Sequence, residues 1–121
     1  MEKHNIIAVD FDGTLCSNEW PYIGTANAYL INILIRLQQV KGYKLILWTC
    51  RTGEHLEEAV EWCRRHGLIF DAVNENLPEM IERFGGDTRK IVADYYLDDK
   101  SVCALQLGTM AFAKEEVIED D

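Results

Sequence analysis

The run Ile6-Ile7-Ala8-Val9, followed at once by Asp10-Phe11-Asp12-Gly13-Thr14, constrains this chain more than any other feature. A short, continuously apolar and β-branched run suits a strand buried on both faces of a parallel sheet. Lys44-Leu45-Ile46-Leu47-Trp48 and Leu68-Ile69-Phe70-Asp71-Ala72-Val73 read the same way. A fourth run, Ile91-Val92-Ala93 through Tyr95-Tyr96-Leu97, is interrupted by Asp94, so only part of it is expected in the sheet. Leu30, Ile33, Leu34 and Leu37 recur at helical spacing before Gly42, which predicts a helix over residues 25–41. Leu56, Ala59, Val60 and Cys63 form a second apolar stripe, with Glu54, Glu57 and Glu58 early and Arg64, Arg65 and His66 late, an order that complements the helix dipole. A shorter helix is expected from Pro78 to the pair Gly85-Gly86. Strand and helix thus alternate with short connections. The expected fold is α/β, an open three-layer sandwich in which a parallel, Rossmann-like sheet carries helices on both faces.

In such sheets ligands sit beyond the carboxyl ends of the strands, so the residues after each apolar run are the candidates for chemistry. The first strand delivers Asp10 and Asp12, the second Thr49-Cys50-Arg51-Thr52, and the fourth Asp98-Asp99-Lys100. Two residues apart on one strand, Asp10 and Asp12 point the same way, and Asp98 arrives from a neighbour. Two carboxylates about 4 Å apart repel by roughly 4 kcal/mol at an effective dielectric of about 20. Either a proton is shared or a cation is bound, and all-oxygen ligation by few residues fits Mg²⁺. A single strand-end Asp is ordinarily a turn or helix cap. A DxDGT pattern after a buried strand, matched by a second acidic pair after another strand, is a different matter.

These residues resemble the haloacid-dehalogenase-like (HAD) phosphohydrolase superfamily. Its first motif is matched by Ile7-Ala8-Val9-Asp10-Phe11-Asp12-Gly13-Thr14-Leu15, its second by Leu45-Ile46-Leu47-Trp48-Thr49, and its fourth by Tyr95-Tyr96-Leu97-Asp98-Asp99, while Lys90 is the natural match to the third. The resemblance spans residues 5–102. It implies a Mg²⁺-dependent phosphatase that cleaves a phosphomonoester through an aspartyl-phosphate on Asp10, with Asp12 as general acid and base. Thr49 would hydrogen-bond a phosphoryl oxygen, and Lys90 would neutralise phosphate charge. Mg²⁺ would be held by Asp10, the Asp12 carbonyl and Asp98, with Asp99 orienting metal-bound waters more than ligating directly. Gly13, Thr14, Cys50 and Arg51 are the substrate-binding candidates. Arg51 could equally hold a phosphate or carboxylate or be a solvated loop arginine, and Asp94 is open in the same way. Asn74-Glu75-Asn76 either lines the pocket or is a polar turn before Pro78. Trp48 and Trp62 are expected in the core, whereas Trp20 and Tyr22 could flank the site entrance. His4, His55 and His66 form no metal-binding pattern and are read as surface or capping residues.

Composition narrows the partners. Lys and Arg number 12 against 21 Asp and Glu, a net charge of −9, which repels nucleic-acid backbones and leaves a small phosphorylated metabolite as the expected substrate. Part of the excess lies in the acidic tail 114–121, leaving residues 1–113 as a single catalytic domain. The four cysteines show no zinc spacing and read as free thiols in a reducing cytoplasm, and no apolar segment addresses the chain to a membrane or for export. No Walker or dinucleotide glycine pattern and no cysteine-phosphatase loop occurs.

The chain between Asp12 and Thr49, including the loop 16–24, is too short for an inserted cap domain, so the protein looks like an uncapped member. An uncapped site is either open to a bulky substrate or closed by a second copy in a homo-oligomer. Two other readings compete: a receiver-like signalling module that keeps a phosphate on Asp, and a catalytically silent HAD-like scaffold that still binds metal.

Overall fold

The computed structural model describes residues 5–88 and 91–98. His4, Lys90, Asp99, Cys103, the apolar stretch 102–113 and the tail 114–121 lie outside the described residues.

Four strands form a parallel sheet in the order β5-β4-β1-β6: β1 is Ile6–Val9, β4 Lys44–Leu47, β5 Ala72–Val73 and β6 Tyr95–Leu97. All four residues of β1 are buried, and they sort alternately to the two faces. Ile7 and Val9 join Leu45 and Leu47 in one cluster with Ile31 and Leu34 of α1 (Ala28–Gln39) and Ala59 and Cys63 of α2 (Gly53–Arg65). Ile6 and Ala8 join Ile46 in a second cluster with Ala72, Leu77 and Ile91, against which Met80 of α3 (Pro78–Phe84) packs. Both faces of β1 are covered, which is why its sequence carries no polar alternation. Truncating Leu34, fully buried at the helix–sheet contact, falls in the class of core deletions that cost about 2–5 kcal/mol.

The stop signals and the α2 stripe work as read, whereas in α1 Leu30, Leu34 and Leu37 pack on the core but Ile33 is 37% exposed and Ile31 is buried instead; the shifts in element bounds have local causes. α1 begins at Ala28 rather than near 25 because Asn27 is its cap: Asn27 Oδ1 accepts the Leu30 N–H at 3.2 Å, satisfying one of the free amides of the first turn. Residues 25 and 26 instead belong to β3 (Tyr22–Ala26), which pairs antiparallel with β2 (Cys16–Glu19) in a hairpin where a loop was expected. Of the run 68–73 only Ala72 and Val73 are strand. The Leu68 N–H closes the end of α2 on the Cys63 carbonyl at 2.9 Å, and the Leu45 N–H is taken by the Asp71 side chain at 2.8 Å. Of the run 91–97 only Tyr95, Tyr96 and Leu97 are strand. Asp94 donates its N–H to the Ile6 carbonyl and accepts the Ile6 N–H on Oδ2 at 2.7 Å. Asp71 and Asp94 thus perform the same service, extending the ladder of a neighbouring strand with a carboxylate. Asp94 is structural.

Among the described residues, no helix is long and apolar enough to cross a membrane.

Candidate active site

Parallel register brings the strand ends level. Val9 of β1 pairs with Leu47 and Leu97, and Leu47 with Val73. The next residues, Asp10, Trp48, Asn74 and Asp98, therefore share the carboxyl edge. Backbone hydrogen bonds continue past the strands, from Asp10 N–H to the Leu97 carbonyl at 2.8 Å and from Trp48 N–H to the Val9 carbonyl at 2.8 Å. Asp10 and Asp98 are thereby placed side by side on adjacent strands.

A cavity of about 320 Å³ opens at this edge, lined by Asp10, Asp12 and Asp98, by Trp48, Thr49 and Cys50, and by Asn18 from the hairpin. Five of the expected site residues, Asp10, Asp12, Thr49, Cys50 and Asp98, meet there. Gly13 and Thr14 are not in its lining; they turn the chain instead. Gly13 takes φ +84°, a left-handed conformation suited to glycine, and donates its N–H to the Cys16 carbonyl at 2.9 Å. The Thr14 carbonyl accepts from Asn27 Nδ2 at 3.3 Å, while its Oγ1 is buried with no partner among the described residues.

Arg51 neither faces a ligand nor lies in solvent. It is 1% exposed, and all five of its N–H groups are engaged. Nε donates to Asp12 Oδ2 and one Nη to Asp12 Oδ1, both at 2.8 Å. The remaining three donate to the carbonyls of Tyr22 at 3.1 Å, Pro21 at 3.3 Å and His55 at 3.5 Å. Its guanidinium lies about 5 Å from the centres of the Phe11 and Trp20 rings, within cation–π range. The hydrogen bonds to Asp12 raise the pKa of Arg51 further above its ordinary value, against the opposing effect of burial. The residue expected as an anion holder is a buried tie between Asp12, the hairpin and α2.

Two residues that the sequence reading left out or placed elsewhere, Asn18 and Trp48, line the cavity, and Asn74, expected either in the pocket lining or in a polar turn, belongs to this edge too. Trp48, expected in the core, is 40% exposed beside Thr49, because the strand ends at Leu47 and the alternation stops there; its ring packs edge-on against Tyr96 at 5.5 Å. Asn18 comes from the unforeseen hairpin. Asn74 sits at φ +53°, in the left-handed region that Asn tolerates better than most residues, and its Oδ1 accepts the Thr49 N–H at 2.8 Å. It shapes the Thr49 loop. Asn76, 2% exposed, binds Asp87 and Thr88 through Nδ2 and the Val92 N–H through Oδ1 at 2.6 Å, so it organises the return to β6 rather than the cavity. Trp62 does pack on the core, meeting Phe11 at 5.4 Å, and His66 caps α2 through Nδ1 against the Trp62 carbonyl.

Among the described residues, no three His, Cys, Asp or Glu side chains gather as a metal-holding group. The residue types nevertheless suit a hard cation, since Asp10, Asp12 and Asp98 line one cavity and oxygen donors are what such an ion takes. The Asp12 carboxylate itself is turned to Arg51.

At 40% sequence identity the chain is similar to the solved structure of a conserved protein from Bacteroides thetaiotaomicron, covering 94% of this chain and 93% of that one with a TM-score of 0.73. The chain belongs to that protein's family. No family model and no curated protein matches the sequence.

Proposed function

We propose that the protein is a Mg²⁺-dependent phosphohydrolase of the HAD-like type, an uncapped three-layer α/β enzyme that cleaves a phosphomonoester through an aspartyl-phosphate on Asp10. The observation that carries this reading is the meeting of Asp10, Thr49 and Asp98, from three strand ends, in one cavity. A carboxylate oxygen of Asp10 attacks phosphorus as the bond to the leaving oxygen breaks, and Asp12 gives that oxygen a proton. Water then attacks the aspartyl-phosphate, Asp12 takes a proton from it, and Asp10 and inorganic phosphate are released. Thr49 Oγ1 donates to a phosphoryl oxygen, and Asn74 holds its backbone in place. Asp10 and Asp98, with the Asp12 carbonyl, would hold Mg²⁺, whose part is to offset the charge gathered around phosphorus. Lys90 and Asp99 keep the phosphate-neutralising and water-orienting roles that the motif resemblance implies. A small phosphorylated metabolite remains the favoured substrate class, since the net charge of −9 disfavours polyanions.

Hydrolysis of an aryl phosphate tests the reading. Turnover that needs Mg²⁺, stops with EDTA and falls by at least about 10³-fold in Asp10→Asn is the expected result, as for loss of a covalent nucleophile. Turnover retained in Asp10→Asn would overturn the role of Asp10. The engagement of both Asp12 oxygens by Arg51 favours a second reading, a silent scaffold with its acid/base locked away. Metal-dependent turnover in the same assay would end it.

A further inference from the structure

We propose that Arg51 is the positioning residue for proton transfer by Asp12, and that through Arg51 the β2–β3 hairpin sets where Asp12 can deliver its proton; this rests on the phosphohydrolase reading. The guanidinium is a planar fork with five donors, and each meets an acceptor: two on the Asp12 carboxylate, two on the hairpin-turn carbonyls of Pro21 and Tyr22, one on the His55 carbonyl of α2. Phe11 and Trp20 flank it. A side chain 1% exposed and held at every donor has no freedom to swing towards a ligand, so its influence on chemistry passes through what it holds.

What it holds is the group assigned to move the proton. An ionised carboxylate offers about four lone-pair sites, and a bidentate fork occupies one on each oxygen. Asp12 keeps a site on each oxygen, and it lines the cavity beside Asp10. The fork therefore fixes the carboxyl plane without blocking transfer. Proton transfer needs heavy atoms within hydrogen-bond reach, and a displacement of about 1 Å is enough to cost on the order of a hundredfold in rate. During the first step the P–O bond breaks, the leaving oxygen takes the Asp12 proton, and the new carboxylate charge faces the guanidinium; in the second step Asp12 recovers a proton from the attacking water. Lysine, a point charge with three donors, cannot span the two Asp12 oxygens and the hairpin carbonyls together.

The test exploits the leaving group. A 4-nitrophenolate leaves with little need of a proton, whereas an alkoxide needs one. Arg51→Lys and Arg51→Ala are assayed with Mg²⁺ on 4-nitrophenyl phosphate and on glycerol phosphate, with folding checked by circular dichroism. The expected result is a fall in kcat of about 10²-fold or more on glycerol phosphate and less than about 10-fold on the aryl ester, the range that general acid catalysis supplies. The difference between substrates disappears in an Asp12→Asn background, and free guanidinium restores part of the glycerol phosphate rate to Arg51→Ala. Equal losses on both esters, or faster turnover in either variant, would overturn the proposal. Should neither variant fold, the wild-type chain decides: an Arg51 Nε–H proton resonance protected from solvent exchange, and lost in Asp12→Asn, supports the fork, and fast exchange in wild type overturns it. A wild-type chain inactive on both esters removes the phosphohydrolase reading itself, which is a different outcome from activity with no leaving-group effect.

Discussion

Cys63 carries a consequence that its sequence context hides. It is fully buried against the sheet, and burial pushes its thiol up to about 12; Cys16 is raised for the same principal reason, whereas Cys50 is exposed at the cavity. Since the thiolate is the reactive form, iodoacetamide at pH 8 is expected to alkylate Cys50 and spare Cys16 and Cys63 until denaturant is added, as mass spectrometry of the digest would read. The same burial makes stability depend on pH. A thiol whose folded pKa lies above its unfolded value contributes fully below the unfolded pKa, and that contribution is lost as pH rises towards the folded one. Between about pH 9 and 12 the unfolded chain has released this proton and the folded chain has kept it, so the Cys63 contribution falls by about 1.4 kcal/mol per unit. Denaturant unfolding of wild type and Cys63→Ala should show the steeper alkaline decline in wild type. Parallel declines would mean that Cys63 ionises in the folded chain.

The β2–β3 hairpin is the element that the sequence conceals. Cys16-Ser17-Asn18-Glu19 has one buried residue and three exposed ones, so no alternation marks it, and β3 is only partly covered. Its pairing rests instead on close approach: a Cβ on Gly24 would collide with the Ser17 carbonyl and hydroxyl, and the Thr25 N–H donates to Ser17 Oγ at 2.8 Å. Gly24→Ala is expected to destabilise the chain by about 1–3 kcal/mol, because backbone must move to admit the methyl. It should also speed amide exchange across residues 16–26, and unchanged exchange would show that Ser17 yields without cost. The helices were far more legible. α2 keeps the expected apolar stripe and charge order, and α3 ends at Gly85 in the left-handed conformation, at φ +73°. Helix signals are repeated every turn along one segment. The shortening of β6 was legible from Asp94, which interrupts its run, but that of β5 was not, and in both places Asp94 and Asp71 put a side-chain oxygen where a ladder carbonyl would stand, a choice visible only once the neighbouring strand is in place.

At the scale of the whole molecule, acidic residues exceed basic ones to a net −9, and three aspartates, of which Asp12 is paired with Arg51, share one sheet edge. A cation bound there stabilises the folded chain alone. At a hundredfold excess over its Kd, Mg²⁺ should add about 2.7 kcal/mol, read as a rise in Tm over sodium chloride of equal ionic strength. Asp98→Asn should abolish the rise; an equal rise in that variant would place the ion elsewhere. The sequence by itself determined the parallel α/β class, the helices and the carboxylates that end its strands, because hydrophobic period and turn residues are properties of neighbouring positions. Tertiary structure alone decided the level register of Val9, Leu47 and Leu97, which turns three separate strand ends into one cavity. It also decided the partner of Asp12, an arginine 39 positions away that had looked like a ligand-binding loop residue. Such pairs depend on which segments the packed sheet and hairpin bring together, and no local pattern encodes that meeting.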